Sequence, residues 1–154
     1  MVIDGTPAIV LTFVLAILGY LGLTAVMLRS LWYPVPKRWW SVVVAVIFTH
    51  VVMVWMFRYD WQFELAVRNG YVGFVLFHTA LLIMVGSSFV SERLMRVGII
   101  IGFCVVSLGA SGAVFRYEVV ELYRIPVLGC AGFGILAMLA RLVQRRKQAP
   151  APSE

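Results

Sequence analysis

Charged residues are scarce in this sequence. Its 154 residues include 13 Lys or Arg and 7 Asp or Glu, so 13% of the chain is charged while 62% is hydrophobic. A soluble domain carries about 25% charged residues. A chain this short has no core large enough to hide so much apolar surface, so that surface must face lipid. The composition argues against a soluble catalytic domain and predicts a single membrane domain over residues 1–154.

The motifs of common enzymes and metal sites are also missing. We find no phosphate-binding loop, no HExxH sequence and no nucleophile elbow. Cys104 and Cys130 lie in separate apolar runs without CxxC or zinc-like spacing, and we expect them to serve only as small apolar side chains. The interiors of the apolar runs contain no Asp, Glu, Lys or Arg, which argues against proton pumps, ion-coupled transporters and voltage sensors.

Five apolar stretches are long enough to cross a bilayer, for which a helix needs about 20 residues. The predicted spans lie near residues 8–28, 39–57, 70–90, 97–115 and 126–143. The predicted fold class is an all-α integral membrane protein, a bundle of about five transmembrane helices. The first span is expected to be retained, and residues 144–154 to form a disordered basic tail. Whether the fifth span is complete stays open, because Arg141 lies near its end and must reach the headgroups.

Positive charge is concentrated in alternate connections. Nine of the thirteen Lys and Arg residues lie in the first connection, the third connection and the C-terminal region: Arg29, Lys37, Arg38, Arg93, Arg96, Arg141, Arg145, Arg146 and Lys147. Cytoplasmic loops carry the excess of Lys and Arg. We therefore expect the N-terminus outside and the C-terminus in the cytoplasm of a multi-pass protein, most simply in a bacterial inner membrane. The basic charge then faces anionic lipid and does not indicate nucleic-acid binding.

Among the polar residues inside the spans, the two histidines are the clearest candidates to bind a cofactor or a metal. His50 lies eight residues before Arg58 in the second span, and His78 lies eight residues after Gly70 in the third. At 1.5 Å per residue, both lie about 12 Å below the same boundary. Two imidazoles at one depth on neighbouring antiparallel helices match the axial ligands of a haem b. His50 and His78 are therefore candidate cofactor-binding residues and ligands of one haem iron.

Other interpretations of the histidines remain open. A polar side chain within lipid must find a hydrogen-bonding partner, and each imidazole has a backbone carbonyl or the hydroxyl of Thr49 or Thr79 within reach. A structural role of this kind competes with haem ligation. The pair could also hold another pigment or metal.

A short motif occurs twice, after the second and after the fourth span. Phe57–Asp60 reads FRYD and Phe115–Glu118 reads FRYE, 58 residues apart. The match suggests a parallel duplication, although span ends commonly collect such residues. We expect both motifs to lie on the outer face and to form one patch, for a periplasmic partner or a quinone entrance, from Arg58, Asp60, Arg116 and Glu118.

Small and aromatic residues predict how the bundle packs and where it meets water. The Gly98–Gly102 GxxxG motif, with further small residues at 109–113 and 129–134, favours close approach of helix backbones. Aromatic residues at span ends predict a belt at each membrane surface. The inner belt is expected to contain Trp32, Tyr33, Trp39 and Trp40, and the outer belt Tyr59, Trp61, Tyr71, Tyr117 and Tyr123.

Three functions fit these observations, and none assigns a catalytic residue. The first is a small membrane subunit of a quinone-linked electron-transfer complex that holds one haem b between the second and third spans. The second is a cofactor-free accessory or assembly subunit of a larger membrane complex. The third is a small transporter or channel for uncharged solutes. The expected partners are the lipid bilayer, other membrane subunits or further copies of the chain, and, for the first function, quinone.

Overall fold

A computed structural model describes residues 7–68, 70–116 and 118–148, with the side chains of residues 118 and 119 left undescribed. All regular structure in these ranges is helical. The helices are α1 (Pro7–Trp32), α2 (Lys37–Phe57), α3 (Phe63–Val67), α4 (Tyr71–Ser87), α5 (Glu92–Arg116) and α6 (Arg124–Gln148), and a 3₁₀ turn at Glu118–Tyr123 precedes α6. The all-α class is thereby confirmed.

Four of these helices, α1, α2, α5 and α6, are long and apolar enough to cross a membrane. The chain is therefore a multi-pass helical membrane protein. The third expected span is shorter than predicted: α4 has 17 residues and is about 25 Å long, against about 30 Å of hydrocarbon. Its last turn ends where the hydroxyls of Ser87 and Ser88 donate to the carbonyl of Met84, and such local bonds compete with helix continuation. The count of five spans stays a prediction.

Proline and basic residues account for several helix boundaries. Pro34 and Pro36 separate α1 from α2, and Pro36 caps α2 with φ −60° because proline favours extended backbone before it and helix after it. The disordered tail was expected to begin at residue 144, but α6 continues to Gln148. Arg145, Arg146 and Lys147 occupy its last turn, where cations oppose the negative end of the helix dipole. Residues 149–154 lie outside the described part of the chain.

Two helical hairpins and the last helix, α6, make up the bundle. The hairpins are α1–α2 and α4–α5, while α6 packs against both α1 and α5, and α2 also meets α4. Most fully buried side chains come from α1 and α5, including Leu23, Met27, Ile99 and Phe103. Helices α1 and α5 are therefore the centre of the bundle.

Close backbone approach at α4 and α5 follows the predicted small-residue face. A Cβ on Gly98 would collide with the side chain of Ser87, and one on Gly102 would lie 2.8 Å from Cγ of Met84. The GxxxG motif thus packs α5 against α4. A Cβ on Gly134 would collide with the ring of Phe103, where α6 crosses α5. These glycines are required because no side chain fits between the helices.

Contacts between helix ends place the basic segments together. The indole of Trp32 at the end of α1 lies 3.4 Å from Oε1 of Gln144 near the end of α6, and Nε1 of Trp40 near the start of α2 lies 3.1 Å from Oγ of Ser87 at the end of α4. The ends of α1, α4 and α6 and the starts of α2 and α5 therefore form one end of the bundle, which we call the basic end.

The aromatic belts are only partly as expected. Trp40 is fully buried and donates to Ser87, so it belongs to the core and not to a belt. Trp32, Tyr33 and Trp39 are exposed at the basic end. At the opposite end, Tyr123 stacks on Phe13 with ring centroids 5.8 Å apart. Tyr117 lies outside the described residues.

Candidate functional site

His78, on α4, uses both of its ring nitrogens. Nδ1 lies 2.8 Å from the carbonyl oxygen of Phe74, one turn earlier. A carbonyl only accepts, so Nδ1 carries the proton and Nε2 is the acceptor of the neutral ring. Nε1 of Trp55, which can only donate, lies 3.1 Å from that Nε2. The two bonds specify one tautomer of His78 and connect α2 to α4.

His50 faces a different neighbour. Its Nδ1 lies 2.8 Å from the carbonyl oxygen of Thr12 on α1, so this nitrogen also donates. Thr12 is itself buried, and its hydroxyl donates to the carbonyl of Ile9. Nε2 of His50 has no hydrogen-bond partner among the described residues. The imidazole therefore joins α2 to α1 and leaves one lone pair open.

The two histidines make their hydrogen bonds in different directions. Around α2, His50 is about 140° from Trp55, the residue that contacts His78. The similar depth expected of the two imidazoles stays a prediction. The structure does not join the two imidazoles by a shared contact.

Both imidazoles nevertheless adopt the tautomer that a metal ligand needs. Each donates Nδ1–H to a backbone carbonyl, which is the outer contact that commonly orients a ligating histidine and leaves Nε2 for the metal. In His78 that Nε2 accepts the indole N–H of Trp55, so coordination there requires Trp55 to move away. Among the described residues, no group of three or more His, Cys, Asp and Glu side chains converges as a metal site.

A cluster of seven rings surrounds this contact at the end of the bundle opposite the basic end. The Trp55 cluster consists of Trp55, Tyr59, Trp61, Phe63, Tyr71, Phe74 and His78. The rings of Phe74 and His78 stack with centroids 4.0 Å apart. Trp55 lies at its centre and has neighbouring rings at 5.9 to 6.2 Å. The expected outer-belt residues Tyr59, Trp61 and Tyr71 are all members.

The chain reverses at Asp60 and Trp61 in an unusual backbone conformation. Both have positive φ, 46° and 56°, which is uncommon for residues other than glycine, and Asp tolerates it better than Trp. Trp61 stacks on Trp55 at 6.0 Å, and its backbone N–H donates to the carbonyl of Trp55 at 3.1 Å. The Trp55 cluster thus stabilises the strained turn that follows α2.

The expected patch of the FRYD and FRYE motifs is described only in part. Asp60 accepts a 3.5 Å hydrogen bond from Gln62, and Arg58 is exposed at the C-terminal cap of α2. Arg116 lies in the last turn of α5, at the same end of the bundle. The side chain of Glu118 lies outside the described residues. A shared patch therefore stays a prediction.

Arg124, which follows the FRYE motif, has a structural role. Nε and Nη2 of Arg124 lie 3.3 Å from the carbonyl of Val114, and Nη1 lies 3.1 Å from Glu121. The guanidinium also stands over the ring of Phe115 at 5.3 Å. A cation at this position satisfies a carbonyl at the negative end of α5. Half-exposed pairs of this kind contribute about 0–1 kcal/mol.

Several polar contacts between helices were not anticipated from the sequence. The hydroxyl of Tyr20 on α1 lies 2.8 Å from Oγ of Ser107 on α5 and 3.5 Å from the carbonyl of Val127 on α6. Two others are the buried Trp40–Ser87 bond and the half-buried Trp55–His78 bond. The available signal was general: an indole N–H or a phenol within an apolar span must find a partner. That signal does not identify which partner.

Comparison of the chain with known protein families, with curated proteins and with solved structures found no match.

Proposed function

We propose that the chain is a small accessory subunit of a larger membrane assembly and contributes no redox cofactor of its own. The observation that carries this proposal is that both imidazoles are engaged in hydrogen bonds to other parts of the bundle. Both ring nitrogens of His78 form hydrogen bonds, one to Phe74 and one to Trp55, and His50 donates to Thr12. The two imidazoles thus act as interhelical ties, and we infer that the role of the chain is association with other membrane proteins.

Helix α2 offers a face for such association. Its fully buried residues are Trp40 and Val44. Its opposite side exposes Ser41, Ala45 and Thr49 at four-residue spacing, which lets another helix approach closely. His50 is not part of this row, because it lies about 100° around the helix from Thr49 and faces α1. These features support a helix-packing partner for α2.

A visible absorption spectrum and a mass measurement test the proposal together. The protein is purified from its native membrane in mild detergent. We expect no haem absorbance attributable to this chain, and a complex with other membrane proteins at defined stoichiometry. Ala45→Phe, on the α2 face, should dissociate that complex, whereas Ala140→Phe, at an exposed position of α6, should not. A monodisperse single chain in the native extract would contradict the accessory role.

The second candidate is the quinone-linked electron-transfer subunit with one haem b. The observation that favours it is the shared tautomer, since both rings carry the proton on Nδ1 and keep a lone pair on Nε2, the nitrogen that would bind the iron. Ligation requires the indole of Trp55 to leave His78, and Nε2 of both rings to lie about 4 Å apart across the iron. A Soret band that is lost in both His50→Ala and His78→Ala would replace the first proposal with this one.

A further inference from the structure

Two arginines at the basic end are half-buried and have no partner. Arg96 on α5 and Arg141 on α6 are of intermediate exposure, whereas Arg93, Arg145 and Arg146 are exposed. Within the described part of the chain, neither Arg96 nor Arg141 forms a hydrogen bond or ion pair. Nε of Arg141 is buried without any acceptor. Burying a guanidinium donor without a partner costs free energy. The described part of the chain supplies no acceptor, so we look for one outside the chain.

Helical register places these two side chains on facing surfaces. Phe103 of α5 lies against Gly134 of α6, and the two helices run antiparallel. Arg96 precedes Phe103 by seven residues and Arg141 follows Gly134 by seven, so each is two turns from the contact and on the same helix face. Ile99 and Met138 lie between, packed in the core. The two guanidinium groups therefore approach the same seam, about 10 Å from the Phe103–Gly134 contact towards the basic end.

Two cations on one seam repel each other unless an anion lies between them. The acid nearest in sequence, Glu92, is exposed and forms no ion pair in the described structure. The exposed Trp32, on neighbouring α1, lies at the same end, which is the depth at which tryptophan meets lipid headgroups. Arginine binds phosphate oxygens in a bidentate manner, and basic pockets between transmembrane helices hold anionic headgroups.

We propose that Arg96 and Arg141 form a binding site for the phosphate of an anionic phospholipid in the seam between α5 and α6. The acyl chains of that lipid lie along the exposed apolar sides of the two helices. The site goes beyond the accessory role and does not depend on it, because it requires only the bilayer as ligand source.

Lipid titration of the full chain in non-ionic detergent, followed by native mass spectrometry, tests this site. The ligands are phosphatidylglycerol, phosphatidylcholine and inorganic phosphate. Two variants with equal loss of charge are compared, R96Q/R141Q and R145Q/R146Q. We expect phosphatidylglycerol to bind the wild type and R145Q/R146Q equally, and R96Q/R141Q about tenfold or more weakly. The variant R96K/R141K, which keeps the charge without the bidentate geometry, should fall between.

Three results would overturn the proposal. If phosphatidylglycerol binds both glutamine variants equally weakly, the lipid is attracted by the total charge of the basic end and not by one site. Equal affinity for phosphatidylcholine and phosphatidylglycerol would mean that no anionic headgroup is recognised. If inorganic phosphate displaces phosphatidylglycerol at the same concentration at which the lipid saturates the site, the ligand would be a soluble anion. Far-ultraviolet circular dichroism of each variant checks that the helices are intact, and the R96K/R141K variant still decides the case if R96Q/R141Q does not fold.

Discussion

The indole nitrogen of Trp55 lies 3.1 Å from Nε2 of His78 and thereby connects α2 to α4 at the end opposite the basic end. The two helices otherwise meet chiefly at Trp40 and Ser87. These two bonds therefore hold α2 against α4 along a seam with little other contact, whereas α1 and α5 join the two hairpins at the centre of the bundle.

Replacing Trp55 with Phe should test the strength of this connection. Phe keeps an aromatic ring in the Trp55 cluster but has no N–H, so the free energy of unfolding should fall by about 0.6–2 kcal/mol. The measurement is equilibrium unfolding by SDS in mixed micelles. Trp61→Phe is the matched control, because Trp61 belongs to the same cluster, is 61% exposed and donates no side-chain hydrogen bond. A double-mutant cycle with His78→Leu should give a coupling energy above about 0.5 kcal/mol; additive losses would show that the bond contributes nothing.

Two glycines of α5 should respond oppositely to the same substitution. Gly98→Ala places a methyl group against Ser87, and overpacking of this kind costs about 1–3 kcal/mol. Gly112→Ala meets nothing within 4 Å, so it should leave stability unchanged or raise it by up to about 1 kcal/mol through helix propensity. The same unfolding assay compares them. Equal effects at both positions would contradict the packing of α5 on α4 through Gly98.

The hydroxyl of Tyr20 should stabilise the junction of α1, α5 and α6. Tyr20→Phe removes its bonds to Ser107 and to the Val127 carbonyl, and we expect a loss of about 0.6–2 kcal/mol. Tyr33→Phe provides the control, because Tyr33 is 62% exposed. Ser107→Ala should cost little more once Tyr20 is already Phe, and thermal unfolding in detergent reports both changes. Full additivity of the two substitutions would show that the hydroxyls do not interact.

Orientation in the membrane follows from the concentration of Lys and Arg at the basic end. We expect a reporter fused after Glu154 to be cytoplasmic, and one inserted at Asp60 to be outside. Reporters that are active only in the cytoplasm and only outside it should give opposite signals at the two positions. The same signal at both positions would mean that the number of spans between them is even, and the five-span topology would then be wrong.

The all-α fold class and the close helix packing at glycines could be predicted from the sequence, because both depend on local properties. An apolar run long enough to span lipid must become a helix, since every backbone group then finds its partner within the run. Gly98 and Gly102 likewise indicate close approach wherever they meet another helix. The length of α4 was overestimated, because hydropathy does not separate an apolar helix from the apolar turn that follows Ser87.

The roles of the histidines depended on the tertiary structure. Sequence spacing predicted His50 and His78 at the same depth, because rise per residue is constant along a helix. It did not specify the direction in which each ring points, since that depends on which neighbour each face of α2 packs against. Once α1 lies against one side of α2 and α4 against the other, His50 donates to Thr12 while Trp55 reaches His78. Composition and charge pattern alone thus determined a membrane bundle with one basic end, whereas the packing of α2 between α1 and α4 decided the partner of each imidazole.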